Sequence, residues 1–168
     1  MINKTQVKVL IKLLKDKAID ERPPLKQVFE QGGYLWATNG YMTVEIGEVM
    51  DKLKGKRITL EALQAWNATH TKKTDQIGGD DFEDNPYNQP DMTFLLHDKY
   101  EAPTESPMFD INLLKLGCDY LGITGVSLEA DNGRRLSYCY RLKPVNENEM
   151  DILTKAMDSK VYIMGLKK

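Results

Sequence analysis

An α+β domain is the fold class predicted for this 168-residue chain, and three observations predict it. The chain opens with an amphipathic helix threaded by lysines. Short alternating strands bounded by glycine and Asn-Gly turn signals follow it. The same order, helix and then strands, returns in the closing third. The length suits one domain with a proper core. Its plan is a first half over residues 1–60, a connector over 61–107 and a second half over 108–168.

Residues 3–18 read as the first helix. Val7, Leu10, Ile11 and Leu14 share one face, and Lys4, Lys8, Lys12 and Lys15 fall on the other within an arc of roughly 80°. Pro23-Pro24 stops it. Leu25 to Glu30 and Tyr34 to Thr38 read as strands around a Gly32-Gly33 turn. Asn39-Gly40 predicts a two-residue hairpin turn. The next strand, Tyr41 to Ile46, alternates Met42, Val44 and Ile46 with Tyr41, Thr43 and Glu45, a pattern expected of a sheet with one packed and one wet face.

A basic loop (Lys52, Lys54, Lys56, Arg57) leads to a strand at 57–60 and a helix at 61–69. Residues 71–91 are polar, with Gly78-Gly79, Pro86, Pro90 and the acids Asp75, Asp80, Asp81, Glu83 and Asp84. They read as a long mobile surface excursion. Met92 to His97 reads as a strand. Asp110 caps a helix running to Tyr120. Val126 to Ala130 and Leu136 to Leu142 alternate around an Asp131-Asn132-Gly133 turn. A helix over 147–157 and a strand from Lys160 to Leu166 complete the chain.

The apolar share is 41%, the charged share 29%, and the net charge −2 with a pI of about 5.8. Nothing global demands nucleic acid, so such binding needs a local basic surface. The first 26 residues supply one: Lys4, Lys8, Lys12, Lys15, Lys17, Arg22 and Lys26 stand against Asp16, Asp20 and Glu21. Cys118 and Cys139 show no metal-ligand spacing and read as reduced thiols. With no signal-peptide pattern and no apolar run near the ~20 residues of a membrane helix, the expectation is a cytoplasmic protein without membrane contact. His70 and His97 stand alone, and phosphate loops and catalytic motifs are missing, so no enzyme, metal or cofactor is expected. The acidic excursion is the one place where carboxylates could hold a divalent ion, but it has no EF-hand spacing and reads as solvated.

Three stretches carry a resemblance. Leu25 to Ile46, through Ala37-Thr38-Asn39-Gly40-Tyr41-Met42, is similar to a strand–turn–strand run of the bacterial and phage DNA polymerase sliding clamp family. That run ends in Ala-Thr-Asp-Gly, with Asn39 here in place of aspartate. Phe109-Asp110-Ile111-Asn112-Leu113-Leu114-Lys115-Leu116 resembles the start of the family's last helix. Val161-Tyr162-Ile163-Met164-Gly165-Leu166 resembles its carboxyl terminus, with Gly165 in place of proline. Bacterial clamp subunits hold three such domains and this chain has room for one.

The resemblance implies a diverged single-domain member: a DNA-clamp-like domain of two helix-plus-antiparallel-sheet halves, its helices facing DNA. Its implied function is a non-enzymatic replication accessory. It would hold double-stranded DNA non-specifically, form a homo-oligomer and tether a DNA polymerase or another replication protein through a peptide. Lys4, Lys8, Lys12 and Lys15 would then meet phosphates, which carry no sequence information. Thr38, Gly40, Tyr41 and Met42 would form one wall of a partner pocket, and Ile163, Met164 and Leu166 the other, the two walls coming from neighbouring protomers. A clamp-fold interaction module without DNA binding is the alternative.

Overall fold

The first helix begins at a reciprocal cap. The Asn3 side chain accepts the Gln6 N–H at 3.0 Å, and the Gln6 side chain accepts the Asn3 N–H at 3.0 Å, so two donors that the helix leaves orphaned are satisfied. In this computed structural model, which describes residues 2–48, 51–96, 99–103, 108–124, 126–131, 139–145 and 159–165, α1 spans Lys4–Leu14. It stops short of residue 18 because Asp16 accepts the Ala18 N–H and starts a separate 3-10 turn at Lys17–Ile19. Pro23–Leu25 forms a second such turn, which delays the first strand to Gln27.

The remaining elements are β1 (Gln27–Gln31), β2 (Tyr34–Thr38), β3 (Met42–Glu48), β4 (Lys56–Thr59), α2 (Leu60–Thr69), β5 (Glu83–Asp84), β6 (Tyr100–Glu101), α3 (Ile111–Leu121), β7 (Val126–Asp131), β8 (Cys139–Pro144) and β9 (Lys160–Met164). The strands form one sheet in the order β5-β4-β1-β2-β3-β9-β8-β7-β6, and every pairing is antiparallel. α1 leads into the meander β1-β2-β3 and α3 into β7-β8-β9. The two meanders join where Met42, Thr43, Val44 and Glu45 pair with Ile163, Tyr162, Val161 and Lys160.

The helices share one face of this sheet. α1 packs between α2 and α3, over β2, while α3 lies over β9. Val7, Leu10 and Leu14 of α1 meet Leu35, Ala37, Val44, Val161 and Ile163 in the main core. Close approach of α3 requires Gly117: a Cβ there would stand 2.8 Å from Leu142 Cδ2 and 3.1 Å from Val161 Cγ1.

The opposite face is not the wet one the alternation predicts. Phe29, Trp36, Met92, Leu95, Tyr100, Cys139 and Tyr162 form a second cluster there. Residues expected as a strand from Met92 instead make a 3-10 turn at Thr93–Leu95, which lays Met92 and Leu95 on the sheet. Thr43 and Glu45 are consequently buried, and Tyr41 alone of that alternating set stays exposed. His97, residues 132, 133 and 136–138 of the second hairpin, the expected 147–157 helix and Leu166 lie outside the described residues. Among the described residues no helix is long and apolar enough to cross a membrane.

Candidate nucleic-acid and partner surfaces

α1 is buried along most of its circumference, so its few exposed positions are informative. Thr5, Lys8 and Lys12 are exposed, and Lys15 just past the helix joins them. None of the three lysines is in an ion pair among the described residues. Lys8 and Lys15 are seven residues apart, a separation of about 10 Å along the axis at the helical rise. The ridge therefore presents amines in the centre of the helix layer. Lys17, Lys72, Lys73 and Lys115 are also exposed, with Glu61 and Asp119 as exposed counter-charges, and Lys115 pairs with Asp119 at 3.1 Å.

Lys4 must be taken out of this ridge. It is only 6% exposed, its Nζ donates to the carbonyls of Asn67 and His70, and it lies 5.7 Å from the Trp66 ring centroid. The last carbonyls of α2 have no partners within their own helix, and a cation satisfies both their hydrogen bonding and the negative end of the dipole. Helical periodicity puts Lys4 with the other amines because it carries no knowledge of α2 beside it. The His70 ring in turn stacks on Trp66 at 4.3 Å and 9°, which gives that histidine a structural place.

The 38–42 turn and the 160–164 strand do come together, and within one chain rather than between protomers. Ile163 pairs with Met42, and the Met164 N–H donates to the Tyr41 carbonyl at 2.8 Å. The turn is centred one residue later than the Asn-Gly signal predicts. Asn39 is buried and its Oδ1 accepts the N–H groups of Tyr41 and Met42 at 3.0 and 2.8 Å, so Gly40, at φ +89°, and Tyr41 form the tip. An asparagine side chain that satisfies the backbone two and three residues on replaces the mirror-image turn. Asn39 Nδ2 also donates to Asp16 at 2.6 Å, tying the turn to the end of α1.

Burial sorts the expected pocket residues. Met42 and Ile163 are fully enclosed in the core, and Thr38 is buried with its hydroxyl donating to the Met42 carbonyl. Gly40 and Tyr41 are exposed and Met164 is half-buried. Among the described residues, the surface available to a partner here is Gly40, Tyr41 and Met164.

The acidic excursion is docked. Ile77 is 2% exposed and its N–H donates to the Ile2 carbonyl at 2.9 Å. β5 pairs with β4; Asp84 meets Lys56 at 2.7 Å and Glu83 meets Arg57 at 2.8 Å. Asp81 accepts the Gly78 N–H and Asp75 the Lys72 N–H. These acids are thus engaged in pairs and turns, and the described residues contain no cluster of three or more metal-ligating side chains. Low hydrophobicity marks a surface excursion, and the buried side chains of Ile77 and Met92 pin it to the fold near its two ends.

The feature least visible in the sequence lies under the seam. Glu45, 0% exposed, accepts the Tyr162 hydroxyl at 2.6 Å and the Lys160 ammonium at 3.0 Å. Burial, then the Glu45 charge, raises the Tyr162 phenol above its ordinary range. Tyr162 lies near Tyr100, whose ring carries the Arg141 guanidinium at 4.4 Å, and Arg141 pairs with Glu129 at 2.6 Å. Burial alone would raise the Glu129 carboxyl, but hydrogen bonds from Arg141 and Lys143 hold it lower. Strand alternation can place Glu45 opposite Lys160 only once the β3–β9 pairing is known.

No family model matches this chain, no curated protein matches it, and no solved structure matches it.

Proposed function

We propose that this chain is a sliding-clamp-like, non-enzymatic accessory of DNA replication. In this reading it holds duplex DNA without reading sequence, assembles with further copies of itself and tethers a polymerase or related enzyme. The observation that carries the reading is the ridge of Lys8, Lys12 and Lys15, the exposed line of a helix otherwise packed in the core. Amines on a rigid central helix neutralise phosphates with little side-chain rearrangement, and such contacts leave a protein able to move along the duplex. The repeated helix-then-meander connectivity, joined at β3 and β9, supports a domain of two clamp-like halves. Tethering raises the local concentration of an enzyme at its template, which is how such a protein confers processivity.

Charge reversal tests the reading. Lys8, Lys12 and Lys15 are exposed, so glutamate at all three leaves the core intact. Duplex affinity measured by fluorescence anisotropy is expected to vanish at low salt in the triple variant, and each single reversal to reduce the salt slope by about 0.9. Unaltered duplex binding in a folded triple variant would count directly against it.

A second reading, a partner-binding module without DNA contact, draws on Tyr41, which is 55% exposed beside half-buried Met164. Under it the wild-type chain binds no duplex at low salt, and Tyr41→Ala weakens partner capture while the lysine reversals do not.

A further inference from the structure

Helix α2 ends in an aromatic stack with one face left open. The His70 ring lies nearly parallel to the Trp66 ring, 4.3 Å away at 9°. Trp66 is 7% exposed and belongs to the main core, whereas His70 is exposed. One side of the imidazole is therefore covered by Trp66, and its accessible area comes from the outer side and edge. The ring is also held in place. Its Nδ1 lies 3.0 Å from the Trp66 carbonyl, which only accepts, so Nδ1 carries the proton and donates. The His70 N–H donates to the same carbonyl, and the His70 carbonyl accepts the buried Lys4 ammonium. The result is a flat, pre-oriented π surface, which a planar ring can meet without first freezing a free side chain.

Cations frame this surface. Lys72 and Lys73 follow at once in the chain, both exposed, and neither is in an ion pair among the described residues. They sit in a turn closed by the Asp75 N–H on the Lys72 carbonyl at 3.2 Å, and the Asp75 carboxylate accepts the Lys72 N–H at 2.9 Å. The turn is tied to the start of α1, where the Lys4 N–H donates to the Asp75 carbonyl at 3.1 Å. Lys8 follows Lys4 by about one helical turn, roughly 6 Å along the axis. The stack, the turn and the α1 ridge are thus neighbours in the helix layer.

We propose that His70 is a stacking platform for the base of an unpaired nucleotide, with Lys72 and Lys73 taking phosphates of the same single strand. Bases stack on imidazole as on other aromatic rings, and the contact tolerates any sequence because every base has a π face. A base inside a duplex has both faces covered by its neighbours, so the platform selects single-stranded nucleic acid. The ligand class follows from the two chemistries together. An aromatic face alone suits any planar ring and lysines alone suit any anion, whereas a nucleotide strand supplies both side by side. The site goes beyond duplex retention: it lies on α2 and the turn after it, and it uses none of Lys8, Lys12 and Lys15.

The test titrates the full chain with a labelled short oligodeoxyadenylate and with an abasic strand of equal length, followed by fluorescence anisotropy. Adenine also shields a ring stacked on it, so the His70 ring protons are expected to move upfield in the NMR spectrum with the adenylate strand and to stay in place with the abasic one. His70→Leu keeps Trp66 covered but has no π face, and is expected to bind the adenylate strand about tenfold more weakly. His70→Phe is expected to restore binding. Lys72→Glu and Lys73→Glu are each expected to lower the salt slope for the strand by about 0.7. The proposal is overturned by equal affinity for the adenylate and abasic strands, by His70→Leu binding like the wild type, by His70→Phe failing to restore binding, or by deoxyadenosine monophosphate binding as tightly as the strand. Duplex binding of the Lys8, Lys12 and Lys15 variants is scored separately: a wild-type chain without duplex affinity removes the replication reading, while the platform stands or falls on the strand titrations alone.

Discussion

The seam between β3 and β9 and the edge between β4 and β5 are held by the same kinds of group at similar distances. Glu45 meets Lys160 at 3.0 Å, and Asp84 meets Lys56 at 2.7 Å. The Glu45 side chain is 1% exposed and the Asp84 side chain 93%. Distance alone would rank the edge pair first; burial reverses the order. A carboxylate enclosed under the seam has no water to return to and depends on its tyrosine and lysine, whereas the edge carboxylate exchanges one hydrated state for another. The same chemistry therefore locks the two meanders together at the centre and merely fastens a strap at the rim.

The largest expected effect breaks the seam. Glu45→Ala strands the Tyr162 hydroxyl and is expected to lower unfolding stability by about 3 kcal/mol, seen as a reduced denaturant midpoint with an unchanged slope. A loss below about half a kcal/mol would mean that the buried network is not what joins the meanders. Next comes the close approach of α3 to that seam. Gly117→Val forces atoms into Leu142 and Val161 and should cost about 2 kcal/mol by the same measurement.

Lys4 and Lys8 sharpen the comparison on a single helix. Lys4→Met keeps the packing but removes the cation from the end of α2, a loss of about 1–2 kcal/mol. Lys8→Met is expected to change stability by less than about half a kcal/mol, because nothing buried depends on it. Equal effects at the two positions would erase the distinction between structural and surface lysines.

Acid supplies the smallest and most local effects. Glu129 is held below its ordinary 4.5 and Asp84, by its hydrogen bond and charge contact with Lys56, below 3.8. Carboxyls lowered by folding contribute stability that is complete above their unfolded values and lost as pH falls through their folded ones. Glu129→Gln is therefore expected to flatten the stability profile as pH falls below about 4.5. Asp84→Asn should leave the global unfolding midpoint in place and quicken exchange at β5. A profile indifferent to Glu129→Gln would show that Arg141 and Lys143 do not depend on that charge.

The same contrast explains what is legible in the sequence. α1, β2 and α3 can be read from it because apolar period and capping residues, such as Asp110 at the start of α3, are local properties. The helix-then-meander repetition is legible for the same reason. Periodicity misplaces Lys4 because its surroundings come from α2, more than sixty residues on. Composition does not show how residues 71–91 are tethered, because the ties are two isolated apolar residues, Ile77 within the stretch and Met92 just past it. Asn39 has the look of a left-handed turn residue; its side chain instead organises the turn, through bonds that only the closed hairpin makes. Thr43 and Glu45 fall on a face that alternation marks as wet, because the second cluster, built from β1, β2, β8, β9 and the connector, has no counterpart in local alternation.

One titration bears most directly on the proposed function: duplex affinity against salt for the wild-type chain and for the Lys8→Glu, Lys12→Glu, Lys15→Glu variant, both checked for equal thermal unfolding. The account predicts a linear fall of log affinity with log salt for the wild type and no measurable binding for the variant. Identical titrations, or a wild-type chain that ignores duplex DNA at low salt, would contradict it.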